Sequence, residues 1–91
     1  MTYTLKRTNQ FRKDFKCAAK RGYNMNLIAD VIGRLSRGET LEPRFHDHEL
    51  KTDYAGMREC HITPDWLLVY FIEDEVLVLT LTRTGSHSDL F

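Results

Sequence analysis

Seven consecutive apolar side chains, Trp66-Leu67-Leu68-Val69-Tyr70-Phe71-Ile72, stand between the turn pair Pro64-Asp65 and the acidic triplet Glu73-Asp74-Glu75. A half-exposed strand alternates apolar and polar residues. A short run without alternation, rich in aromatic and β-branched residues, reads as a central strand of a sheet. This chain must therefore place a strand on either side of residues 66–72.

The flanking segments supply those strands. Met57 to Thr63 precedes the run across Pro64-Asp65, and Val76 to Arg83 follows it across the acidic turn. Upstream, Thr2 to Lys6 alternates as a first strand. Thr8 or Asn9 then caps a helix whose apolar stripe is Phe11, Phe15, Ala18 and Ala19. Gly22 ends it, and a second helix carries Leu27, Ile28, Val31, Ile32 and Leu35 on one face up to Gly38. Residues 39–54 show no period, contain Pro43, and read as a long loop. The order β-α-α-β-β-β predicts an α+β fold, in one domain spanning 1–91. It has a mainly antiparallel four-stranded sheet, with the helix hairpin packed on one face. The first strand must pair with a strand distant in sequence, the central or the last.

Composition narrows the class. No apolar run approaches the ~20 residues of a membrane span. Met1 to Arg7 lacks the apolar core of an export signal, so a cytoplasmic protein is expected. Two cysteines, Cys17 and Cys60, cannot make a disulfide framework and read as small, reduced, partly buried thiols. Net charge is zero, but residues 1–44 carry +6 and residues 45–91 carry −6. Arg12, Lys13, Lys16 and Lys20 fall off the apolar stripe of the first helix and form a basic face suited to a polyanion.

All four histidines, His46, His48, His61 and His87, lie in the second half of the chain. Imidazole is the side chain best suited to proton transfer near neutral pH. Two strand reversals separate the end of the His61 strand from the end of the Arg83 strand, so both emerge at one edge of the sheet. Asp65 follows His61 in the intervening turn. Gly85 allows the tail carrying His87 and Phe91 to fold back over that edge. Such a set suits cleavage of an RNA phosphodiester. A base takes the 2′-hydroxyl proton, an acid protonates the leaving oxygen, and arginine's planar fork holds the phosphate. Plainer readings stand beside it. His61 also fits a hydrogen bond within the sheet, Asp65 a turn role, Arg83 an ion pair with an acid such as Asp89, and Trp66 and Phe91 the core. His46-x-His48 with His61 or His87 offers imidazole ligands to a metal, without an established ligand spacing.

The segments Phe45-His46-Asp47-His48-Glu49-Leu50, Arg58-Glu59-Cys60-His61-Ile62-Thr63-Pro64-Asp65-Trp66 and Leu67-Leu68-Val69-Tyr70, with the tail Arg83-Thr84-Gly85-Ser86-His87-Ser88-Asp89-Leu90-Phe91, resemble the RelE-superfamily toxins of bacterial toxin–antitoxin systems. The likeness is to their YafQ branch of mRNA interferases. The pairing of H-x-x-P-D-W with R-T-G-[ST]-H-x-x-L-F carries it, and it covers nearly the whole chain. The resemblance implies metal-independent cleavage of messenger RNA in the A site of the small ribosomal subunit, with no cofactor. It implies His87 as general acid or base, Arg83 on the phosphate and Phe91 on the substrate. His48, His61 and Asp65 share the complementary proton transfer and the placing of the 2′-hydroxyl. His46 has no matching role. The basic helix face would dock ribosomal RNA. A cognate antitoxin would bind the toxin, and operator DNA would be reached only through their complex. A non-catalytic ParE-like inhibitor of DNA gyrase, or a protein-binding module on the same fold, is the competing expectation.

Overall fold

The computed structural model describes residues 2–91. Its elements are β1 (Thr4–Arg7), α1 (Asn9–Lys20), α2 (Met25–Ser36), β2 (His48–Glu49), β3 (Arg58–Thr63), β4 (Trp66–Glu73), β5 (Val78–Gly85) and α3 (His87–Leu90), with a 3-10 turn at Pro43–Phe45. The sheet order is β1-β5-β4-β3-β2. β1 runs parallel to β5, and every other pair is antiparallel. The distant partner of the first strand is thus the last strand.

β4 is covered on both faces, as its unbroken apolar run requires. Trp66, Leu68 and Tyr70 join Phe11, Ile28, Val31, Leu35, Leu79 and Leu81 in the main core under the helices. Leu67 and Val69 point the other way and pack with Leu90, Leu50, Tyr54 and Met57. That second cover is a loop and the chain's tail rather than a regular layer. Truncating Leu68, fully buried at the crossing of these contacts, costs about 2–5 kcal/mol by the usual large-to-small penalty.

Thr8 caps α1. Its hydroxyl accepts from the Phe11 amide at 2.9 Å and donates to the Thr82 carbonyl at 2.7 Å, tying the helix start to β5. The buried face of α1 differs from the expected stripe. Phe11 and Ala18 are buried, whereas Phe15 and Ala19 are exposed. Asp14, three residues from Phe11 and four from Ala18, takes the inner position between them. The helix rolls toward β5 to bring that carboxylate inside. Gly22 and Gly38 both adopt positive φ just past the helix ends. There the Tyr23 and Glu39 amides close onto Ala18 and Arg34 carbonyls.

The 39–54 segment is more ordered than a loop reading expects. Phe45 is buried, and His48–Glu49 adds a fifth, two-residue strand at the sheet edge. A pairing of two residues lies below what period can reveal. β5 begins at Val78 rather than Val76, because the acidic turn extends through Leu77 in a left-handed conformation. Cys17 is exposed, while Cys60 is buried, and burial pushes its thiol pKa up.

Candidate active site

Directly opposed residues on neighbouring antiparallel strands point to the same face. His48 opposes Glu59, Glu59 opposes Val69, and Val69 opposes Arg83. One row across four strands therefore carries His48, Glu59 and Arg83 on the face away from α1 and α2. The next row runs His61, Leu67, Gly85. It crosses two strand spacings, roughly 10 Å.

Arg83 reaches this face only through a β-bulge. Tyr70 opposes Leu81 but Val69 opposes Arg83, so Thr82 is one residue extra. With regular pairing Arg83 would share the side of Leu81 and point into the core. The bulge turns it over.

A buried carboxylate lies between two imidazoles. Glu59 is 5% exposed. Its Oε1 is 3.6 Å from His48 Nε2 and 3.5 Å from His61 Nε2. His48 Nδ1 lies 2.6 Å from the His46 carbonyl, which can only accept. Nδ1 therefore carries a proton, and the other ring nitrogen, Nε2, is turned toward Glu59. The loop is held by Asp47, which accepts from the buried Tyr70 hydroxyl and from Arg58 Nε at 3.3 Å. Burial, reinforced by Asp47, pushes the Tyr70 pKa up. With Phe45 and Asp47 turned inward, His46 and His48 flank an open cleft of about 670 Å3 that His61 also lines.

Arg83 is bound on one edge and free on another. β1 ends opposite Leu81, so from Thr82 onward β5 has no strand on its β1 side, and α1 passes that open edge. There Asp14 accepts from Arg83 Nε at 2.9 Å, from Arg83 Nη2 at 3.1 Å and from the Thr84 amide at 3.2 Å. Burial pushes the Asp14 carboxyl up. The hydrogen bonds from Arg83, Gln10 and Thr84 outweigh it and hold the pKa below the ordinary value. Arg83 Nη1 donates to the Tyr54 hydroxyl at 3.3 Å. Of the guanidinium's five N–H donors, one on each terminal nitrogen is left for a ligand. The ion pair considered with Asp89 does not form. Asp89 binds Arg21 at 2.8 Å instead, and that contact lowers its pKa.

The tail is docked by its own caps. Ser86 and Asp89 form a reciprocal capping box that starts α3. The Asp65 carboxylate accepts from the His87 amide at 3.4 Å. Phe91 stands edge-on to Tyr54 at 5.7 Å between ring centroids, with the His87 ring 5.1 Å from it. Tyr54 also donates to the Leu90 carbonyl.

Two groups of expected residues result. His48 and His61 meet around Glu59. Arg83 and Phe91 meet at Tyr54, the His87 ring lies against Phe91, and the Asp65 carboxylate holds the His87 backbone. Among the described residues no hydrogen bond or ion pair joins the His87 ring to the Glu59 cluster. Trp66 is a core residue, edge-on to Tyr23 at 4.9 Å, and takes no part. Arg12, Lys13, Lys16 and Lys20 are all exposed on α1. Glu59, Asp14 and Tyr54 were absent from the expected set. Glu59 was legible, because it sits two residues from His61 on a strand and so shares its face. Asp14 and Tyr54 carried no comparable signal. Among the described residues no group of three or more His, Cys, Asp or Glu side chains is arranged to hold a metal ion, and no helix is long and apolar enough to cross a membrane.

This geometry has close relatives. Residues 3–91 match the family described as the bacterial toxin of type II toxin–antitoxin systems, YafQ. The mRNA interferase toxin YafQ of Escherichia coli BL21-DE3 is 36% identical over 85 residues, covering 92% of this chain and 90% of that protein. The toxin in the E. coli DinJ–YafQ toxin–antitoxin complex superposes with a TM-score of 0.91 at 33% identity, covering 100% of this chain and 99% of the other. A metal-bound toxin from Helicobacter pylori superposes with a TM-score of 0.91 at 41% identity over the whole of both chains.

Proposed function

The chain belongs to the YafQ family of type II toxin–antitoxin toxins, and from that premise we propose that it is an endoribonuclease that cuts messenger RNA in the ribosomal A site. The observation that carries the reading is the single sheet face that collects His48, Glu59, His61 and Arg83 beneath the His87 tail.

Each step of the cleavage has a matching group. A neutral imidazole of the His48–Glu59–His61 cluster removes the 2′-hydroxyl proton. Glu59 then sits beside the imidazolium so formed and offsets its charge. The 2′-oxygen attacks phosphorus. The developing negative charge meets the two unassigned N–H groups of Arg83, whose orientation Asp14 and Tyr54 set in advance. The 5′-oxygen leaves with a proton from His87. The products are a 2′,3′-cyclic phosphate and a 5′-hydroxyl. Phe91 stacks against the substrate near His87. Asp65 acts by holding the start of α3 rather than by carrying a proton.

Acid, base and cation are all supplied by side chains, so the reaction needs no metal. The exposed Arg12, Lys13, Lys16 and Lys20 dock ribosomal RNA. A cognate antitoxin neutralises the toxin in the cytoplasm, as DinJ binds YafQ, and only the complex meets operator DNA. The test is cleavage of mRNA on programmed ribosomes in Mg2+ buffer by toxin that has first been stripped with EDTA and freed of chelator, compared with the same toxin resupplied with transition metal. Cuts ending in 2′,3′-cyclic phosphate at equal rates are expected. Cleavage that returns only on resupply of a transition metal would remove the metal-free mechanism. Intact mRNA accompanied by DNA damage on expression would favour gyrase inhibition.

A further inference from the structure

His46 is unused by that mechanism, yet its ring lies 5.4 Å from the His61 ring, tilted by 60°. It lines the 670 Å3 cleft together with Arg44, Phe45, Ile62, Thr63 and Pro64. Arg44 in that lining is backed by an aromatic ring. Its guanidinium carbon lies 4.5 Å from the centroid of the Phe45 ring. Phe45 is 5% exposed and fixed in the core, whereas the Arg44 side chain is 68% exposed. The guanidinium is thus backed by a buried ring and otherwise largely open to solvent. Its nearest ionic neighbour, Glu42, is 3.6 Å away and itself exposed.

We propose that this cleft is a nucleotide subsite, in which the Arg44 plane stacks on an RNA base beside the His46 ring. A flat cation backed by an aromatic ring matches the π-face of a base, and bases splayed out of single-stranded RNA stack on arginine planes in just this way. A volume of several hundred Å3 is of the size that small ligands occupy. The cleft shares His48 and His61 with the base-supplying cluster. The nucleotide it receives is therefore the one whose 2′-hydroxyl attacks. This assignment rests on the endoribonuclease reading.

The test uses a 2′-O-methylated RNA trinucleotide, which cannot be cleaved, titrated into the full chain and followed by NMR. Shifts are expected at residues 44–48 and 61–63. Arg44→Ala should raise Kd about tenfold, the loss expected for one stacked base. Arg44→Lys should not restore affinity, because an ammonium has no plane to stack. On programmed ribosomes the same loss should appear in the half-saturating concentration rather than in the turnover rate. Shifts confined to His87 and Phe91, or full rescue by Arg44→Lys, would overturn the subsite. Trinucleotide binding at the cleft without cleavage on the ribosome would support the subsite and sink the endoribonuclease reading instead.

Discussion

Replacing Asp14 with alanine removes the acceptor of four hydrogen bonds: from Arg83 Nε and Nη2, the Thr84 amide and Gln10. The Gln10 bond is exposed and contributes little. Thr84 is 2% exposed, so its orphaned amide costs about 1–3 kcal/mol. Breaking a fully buried ion pair costs about 3–5 kcal/mol. The Arg83 side chain is 23% exposed and recovers part of that from water, leaving about 1–2 kcal/mol. The variant should lose about 2–5 kcal/mol in urea unfolding, a large share of the roughly 5–15 kcal/mol that holds a small domain together. Turnover on programmed ribosomes should fall roughly 10- to 100-fold, as expected for a misplaced catalytic cation. Asp14→Asn keeps an acceptor for Thr84 and should recover about half of the stability but little of the turnover. The pH dependence follows from the lowered carboxyl pKa. Stability from a depressed acid is present above its unfolded value, about 3.9, and is lost as pH falls through the folded value. The acid limb of wild-type unfolding should therefore be shallower in Asp14→Asn. Unfolding within about 0.5 kcal/mol of wild type, or unchanged turnover in Asp14→Ala, would refute the clamp.

Three further outcomes follow from the same face. His87→Ala, at an exposed position, should leave the circular dichroism melt unchanged while cleavage drops by about 10²–10⁴; full toxicity on expression would sink the acid assignment. Tyr54→Phe keeps the edge-on contact with Phe91 but loses the bonds to Arg83 and Leu90. Stability should fall by about 1 kcal/mol with a larger proportional loss in turnover, and equal losses would argue for a purely structural tyrosine. Gly85→Ala puts a methyl 3.0 Å from Asp89 Cβ. It should loosen α3 at a cost of about 1–3 kcal/mol, visible as faster amide exchange at residues 87–91; wild-type exchange there would count against tight docking of the tail.

The fold was legible wherever a pattern spanned several residues. The β4 run, the α2 face and the two strand reversals all carried enough repeats to assign their elements and the shared edge of His61 and Arg83. The α1 stripe failed because Asp14 replaces an apolar residue on the buried face, and hydrophobic period cannot report a carboxylate whose partner lies 69 residues away. β2 escaped because two residues make no period. Of the candidate site, the placing of His61 and Arg83 on one face followed from chain order, while the split between the His48–His61 pair and the His87 tail did not. Asp14 and Tyr54 were illegible because their roles depend on where a helix and a loop come to rest against β5.

Thr82 shows what that arrangement costs the molecule. Its hydroxyl is buried without a hydrogen-bond partner inside the chain, and its insertion interrupts the pairing of the longest strands in the sheet. A straight β5 would gain a regular ladder and satisfy local packing better. It would also point Arg83 among leucines. The interrupted ladder and the orphaned hydroxyl are two costs that a regular β5 would avoid. The phosphate-holding role proposed for Arg83 depends on this one extra residue, and substitutions that regularise the sheet here should yield a sturdier protein whose Arg83 no longer faces the His48 and Glu59 row.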